Sequence, residues 1–114
     1  MSAITTHVLD TSIGRPAVGV AVVLERYRSS DAPPEILGSG RTDEDGRLRD
    51  LAPPGPLVPG TYRLRFDTRA YFAEQELESF YPAVAISFTV RGGTGHYHVP
   101  LLLSPFGYST YRGS

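Results

Sequence analysis

A chain of 114 residues with 40% hydrophobic and 20% charged side chains has the ordinary composition of one globular domain, expected to span 1–114, which excludes disordered, collagen-like and coiled-coil organisation. Its formal net charge of -1 argues against a nucleic-acid partner, and no apolar run approaches the roughly 18–20 residues that a membrane-spanning helix needs. Cysteine is absent and all 11 basic residues are arginines, so disulfides, thiolate nucleophiles, Cys-bound metals and Schiff-base lysines are excluded, leaving His, Arg, Tyr, Ser, Thr and carboxylates as chemical tools.

The opening stretch, Met1 to His7, lacks the basic and apolar regions of a secretory signal, and a cytosolic setting is the expectation. A period of two then recurs along the chain. Ala3 to Asp10 reads as a first strand, with Thr5, His7 and Leu9 on one side and Ile4, Thr6 and Val8 on the other. Val18, Val20, Val22 and Leu24 alternate in a second, Ile36 to Thr42 and Arg47 to Leu51 are shorter candidates, and Tyr62, Leu64 and Phe66 mark another. Arg69 to Phe80 is predicted helical, with Phe72, Leu77 and Phe80 on one face, Asp67 or Thr68 as cap and Pro82 as stop. Val84 to Val90, Tyr97 to Leu103 and Tyr108 to Arg112 complete the strands. Turn chemistry falls between the runs at 12–16, 31–34, 43–46, 53–56 and 92–95. Seven or eight short strands with one helix predict an all-β sandwich or small barrel.

Three histidines are present. His7 stands alone in the first strand, a position where histidine is most often structural or exposed. His96 and His98, two residues apart in a strand, place both imidazoles on one face. With His7 they have the ligand types of a three-histidine zinc site, but His-x-His is a weak motif, and acid–base chemistry without a metal is the favoured reading. Arg47, just after the acidic turn Thr42-Asp43-Glu44-Asp45-Gly46, stands where a side chain can project into a site, although on its residues alone a solvated arginine beside an acidic turn is the favoured reading. Arg41, Arg49, Arg63 and Arg65 read as surface or interface residues. The closing Tyr111-Arg112-Gly113-Ser114 is unusually rich in aromatic and basic character for a domain end.

Taken together, His7-Val8-Leu9-Asp10, Thr42 to Arg47, His96-Tyr97-His98-Val99-Pro100-Leu101-Leu102-Leu103-Ser104-Pro105 and the closing tetrapeptide resemble the 5-hydroxyisourate hydrolases, the transthyretin-related family of urate breakdown. The resemblance runs in order from about Ile4 to Ser114. It implies a prealbumin-like β-sandwich of eight strands with a short helix, assembled as a homotetramer whose sites lie between dimers, acting on a small-molecule substrate without a cofactor. It also implies catalytic roles for His7, Arg47 and His98, and substrate contacts from these three and from Tyr111, Arg112, Gly113 and Ser114. His96 matches the first position of the pair, with no role assigned. The alternative is a small-molecule carrier that uses the tetramer channel, as transthyretin does for thyroid hormone. A carrier has no need of converging His7, His98 and Arg47, and fold alone does not separate the two. An immunoglobulin-like scaffold module leaves the closing tetrapeptide unexplained.

Overall fold

The computed structural model describes residues 3–92 and 95–114; Met1, Ser2, Gly93 and Thr94 lie outside the described residues, so the turn expected at 92–95 is seen only at its two ends. The alternating runs become strands because each has one apolar side to bury. β1 (Ile4–Asp10), β2 (Arg15–Pro16), β8 (Tyr97–Ser104) and β9 (Gly107–Thr110) form one sheet in the order β2-β1-β8-β9, and β5 (Arg47–Leu48) also pairs with β1. β4 (Glu35–Arg41), β3 (Ala21–Arg26), β6 (Gly60–Phe66) and β7 (Val84–Val90) form the second sheet in the order β4-β3-β6-β7. The architecture is an all-β sandwich with one short helix.

Ile4, Val8, Val99, Leu101 and Leu103 face Val22, Leu24, Leu64, Phe66 and Val84 between the sheets, all of them buried. Each such side chain contributes roughly 1.5–3 kcal/mol by leaving water. Register decides which residues remain for chemistry. β1 and β8 run parallel, with Thr5 opposite His98 and His7 opposite Pro100, while β5 runs antiparallel to β1 with Arg47 opposite His7. Directly paired residues point to the same face, and residues two apart on a strand do as well. Thr5, His7, Arg47 and His98 therefore share the face of this sheet turned away from the core.

Five expectations need correction. Val18 lies in an exposed turn ahead of β3, and the last strand stops at Thr110 and not at Arg112. The helix α1 spans Thr68–Ala73 and not Arg69 to Phe80. Asp67 caps it, its carboxylate accepting from the Ala70 N–H, and Phe72 is its buried anchor. It ends because Glu76 takes the left-handed conformation at φ 58°, with the Leu77 N–H donating to the Phe72 carbonyl at 3.0 Å and the Glu76 N–H to that of Ala73 at 2.9 Å, a Schellman closure. Leu77 and Phe80, past that break, are exposed and share no helical face with Phe72. The strand expected from Arg47 to Leu51 pairs only through Arg47 and Leu48. Arg15 and Pro16, read as turn, pair with Asp10 and Leu9 as a two-residue strand, so the described strands number nine.

One polar strut joins helix and sheet. The Tyr71 hydroxyl donates to Asp10 Oδ2 at 2.7 Å, and burial together with this carboxylate pushes the phenol up to about 12. Tyr71 stays a protonated donor at any physiological pH.

Candidate active site

The acidic turn delivers Arg47. Its Asp43 carboxylate accepts from the backbone N–H groups of Asp45 at 2.8 Å and Arg47 at 3.0 Å, and these bonds hold the Asp43 carboxyl below its ordinary range. Gly46 completes the turn at φ 74°, where a Cβ would collide with the Val8 carbonyl; the Val8 N–H in turn donates to the Gly46 carbonyl at 2.7 Å. The turn is thus tied to β1, and Arg47 leaves it beside His7.

His7 uses one ring nitrogen for the same turn. Its Nε2–H donates to the Asp45 carbonyl at 2.8 Å, and since a carbonyl only accepts, Nε2 carries a proton. His98 lies one strand away. Its Nδ1 is 2.8 Å from Thr5 Oγ1, and the His96 Nε2 is 3.3 Å from the same oxygen. The shared face expected for the His96 and His98 pair is therefore realised around Thr5.

The tail closes over His98 from the other side. The Gly113 N–H donates to the His98 carbonyl at 2.8 Å, an isolated antiparallel bridge that brings Ser114 alongside. A depression of about 220 Å³ results, lined by Thr5, Arg47, Arg49, His96, His98 and Ser114. Its polar lining contrasts with a larger groove of about 300 Å³ lined by Phe88, Tyr97, Val99, Tyr111 and Arg112 among others. The larger groove contains no histidine and no carboxylate among its lining residues, whereas His96 and His98 line the smaller one.

Within one chain, then, Arg47, His98, Gly113 and Ser114 come together, with His7 adjoining through Arg47. Tyr111 and Arg112 do not join them. They line the larger groove, the Arg112 guanidinium carbon 4.7 Å from the centre of the Tyr97 ring. Sequence reasoning missed Thr5, whose only signal was that it shares a side of β1 with His7; Arg49, read as a surface or interface residue, is exposed and lines the depression. No group of three His, Asp or Glu side chains among the described residues is arranged to hold a metal ion, because the His7 ring turns to Asp45 while His96 and His98 converge on Thr5.

The electrostatics suit proton transfer. Burial depresses the pKa of the His98 imidazolium most, followed by the Arg47 guanidinium and then by His7 and His96, all of which disfavour a positive ring. A neutral imidazole with a free nitrogen facing a cationic arginine can take a proton from water while the arginine steadies the anion that forms.

The model of the HIUase/Transthyretin family matches residues 4–113. The chain belongs to the HIUase/Transthyretin family. Among relatives of this family, 5-hydroxyisourate hydrolase of Mus musculus is 48% identical, covering 99% of this chain and 96% of its own. The hydrolase of Salmonella typhimurium is 45% identical, covering 97% and 80% respectively. Of solved structures in the family, Klebsiella pneumoniae 5-hydroxyisourate hydrolase superposes with a TM-score of 0.83 at 39% identity, covering 97% of this chain and 98% of that one. Transthyretin from Sparus aurata superposes with a TM-score of 0.90 at 32% identity, covering 99% and 97%. Backbone shape is shared by both branches of the HIUase/Transthyretin family, while sequence identity is higher to the hydrolases.

Proposed function

We propose that the protein is an enzyme that hydrolyses 5-hydroxyisourate, opening its six-membered ring at an amide bond to give 2-oxo-4-hydroxy-4-carboxy-5-ureidoimidazoline in urate breakdown. The observation that carries this reading is the convergence of His98 and Arg47 at one polar depression on a sheet face, backed by relatives named 5-hydroxyisourate hydrolase at 45–48% identity over nearly the whole chain. A carrier needs shape and apolar surface; it has no use for an imidazole kept neutral beside a guanidinium.

In this mechanism His98 Nε2, left free because Nδ1 faces Thr5, takes a proton from water as it adds to the ring carbonyl. Arg47 stabilises the oxyanion and holds substrate, a role worth about 10²-fold or more in rate. His7 has its Nε2–H committed to Asp45 and acts at the rim, through its polar ring and by helping to keep His98 neutral. No cofactor is invoked. Gly113 and Ser114 wall one side of the substrate position.

The proposed working form is a homotetramer with the sites between dimers, in the cytosol. Two features support assembly. Among the described residues β7 and β9 each end a sheet with no strand on their outer side, and the depression is open, so that another chain can close it. Tyr111 and Arg112 are assigned to substrate binding in that assembly, where chains lie across one another's sheet faces.

The decisive experiment follows the ultraviolet absorbance of 5-hydroxyisourate, generated in place by urate oxidase, with and without catalytic amounts of the protein and with a chelator present. Accelerated decay with chelator is expected; decay at the spontaneous rate transfers the assignment to the carrier reading.

A further inference from the structure

We propose that Thr5 and His96 form a proton relay behind His98, in which the Thr5 hydroxyl accepts the Nδ1 proton of His98 and hands its own to His96 when Nε2 takes a proton from water. The proposal rests on the reading of His98 as the base and assigns roles to two residues which that reading leaves idle.

The geometry carries the argument. A hydroxyl has one proton to donate and lone pairs to accept, so one oxygen within 2.8 Å of His98 Nδ1 and 3.3 Å of His96 Nε2 can accept from one ring while donating to the other. The arrangement is held by backbone pairing: Thr5 lies opposite His98 in the parallel β1–β8 register. Thr5 is itself 5% exposed, so its hydroxyl has little water to turn to, whereas His96 is exposed.

The protons balance over a turnover. At the start His98 carries hydrogen on Nδ1, donated to Thr5 Oγ1, and the Thr5 proton is donated to His96 Nε2. Water adds to the substrate carbonyl and its proton goes to His98 Nε2. The Nδ1 proton moves to Thr5 Oγ1 as the Thr5 proton moves to His96 Nε2, leaving His98 neutral with hydrogen on Nε2 and the positive charge on His96. His98 then gives the Nε2 proton to the departing ring nitrogen as the C–N bond breaks, and the relay runs back from His96 through Thr5 to Nδ1. One water is consumed and no other reactant is needed.

Placing the charge on His96 is physically sensible because of what surrounds His98. Burial, Arg47 from β5 and His7 from β1 all disfavour a positive charge on His98, and Arg49, just past β5, adds a second guanidinium at the same depression. A charge on His96 is hydrated. The relay also lets one nitrogen, Nε2, act first as base and then as acid. Thr5 is a positioning residue here, since it acts through the His98 ring.

The test uses Thr5→Val, which keeps the shape and β-branching suited to a strand but removes the hydroxyl, Thr5→Ser, which restores it, and His96→Gln, which cannot carry the proton. The full-length variants are expected to lose about 10-fold or more in kcat in Thr5→Val and in His96→Gln, with KM within about twofold, and Thr5→Ser is expected to recover most of the rate. The double variant Thr5→Val/His96→Gln should be no slower than the slower single one. Wild-type kcat in Thr5→Val, or losses that multiply in the double variant, overturns the relay. A second readout needs no substrate: ¹⁵N spectra of the histidine rings should show His96 and His98 titrating as a coupled pair in the wild-type protein and independently in Thr5→Val. Unchanged titrations in Thr5→Val would reject the hydroxyl bridge. If the wild-type protein fails to hydrolyse 5-hydroxyisourate, the functional reading falls while the ring spectra still decide the bridge.

Discussion

Gly113 lies so close beneath His98 that a Cβ built on it would stand 2.5 Å from the imidazole Cδ2. The tail and the ring are in direct contact, with the Gly113 N–H bound to the His98 carbonyl. Glycine is required here by space. Gly113→Ala should push either ring or tail aside and cut kcat/KM by about 10-fold or more while shifting stability little, because the tail is at the rim of the fold. Parallel rate and thermal-melt measurements check this, and a fully active alanine variant would show that the ring has room to give.

Arg47 acts on His98 through charge, in addition to its proposed hold on substrate. Burial and the guanidinium both favour the neutral ring, so the base should remain competent below the ordinary imidazole pKa of 6.5. Removing the positive charge makes the imidazolium easier to form, and its pKa rises. Arg47→Ala should therefore lower kcat/KM by about 10² and also move the acidic limb of its pH profile to higher pH. A limb that stays in place or moves down would remove Arg47 from the electrostatics of His98.

Glu25, on the outer face of the second sheet, is 4% exposed and held by Arg63 at 2.9 Å and Arg65 at 3.5 Å. The Arg63 hydrogen bond outweighs burial and lowers the carboxyl from its ordinary 4.5. A group with a lowered folded-state pKa contributes stability above its unfolded value and loses it as pH falls through the folded one. Stability should accordingly decline as pH drops below 4.5, and Glu25→Gln should cost roughly 1–3 kcal/mol at neutral pH with a shallower acid dependence. Urea unfolding at several pH values measures both.

Glu76 is the one described non-glycine residue with positive φ. Its left-handed backbone carries a steric cost that glycine avoids, partly offset by the greater freedom of an unfolded glycine chain. Glu76→Gly should raise stability by about 0.5–1 kcal/mol and the melting temperature by a few degrees. A lower melting temperature would mean that the Glu76 side chain contributes more than its backbone costs.

The strands were readable because each has to bury one side, and alternation records that directly: Val84, Ile86 and Val90 are buried while Ala85, Ser87 and Thr89 are not. The helix was overextended because Glu76 is chemically an ordinary helix former; only the folded chain reveals that the backbone reverses there. The His96 and His98 pair was visible from spacing two. Thr5 was not, because its partner lies 93 residues away and a parallel register leaves no local trace. The acidic turn before Arg47 was legible, but turn chemistry alone favoured a solvated arginine, and its expected site role came only with the family resemblance. Tyr111 and Arg112 point to the limit of a single chain: their composition is distinctive, yet here they line a groove apart from the histidines.

The parallel pairing of β1 with β8 has a consequence for the order of events during synthesis. The strand carrying Thr5 and His7 emerges from the ribosome early and waits for nearly the whole of the remaining chain before the strand carrying His98 exists to dock beside it. Contacts spanning so much sequence form slowly. A nascent or truncated polypeptide can complete the β4-β3-β6-β7 sheet while still lacking the depression around His98, which exists only once β1 and β8 have met.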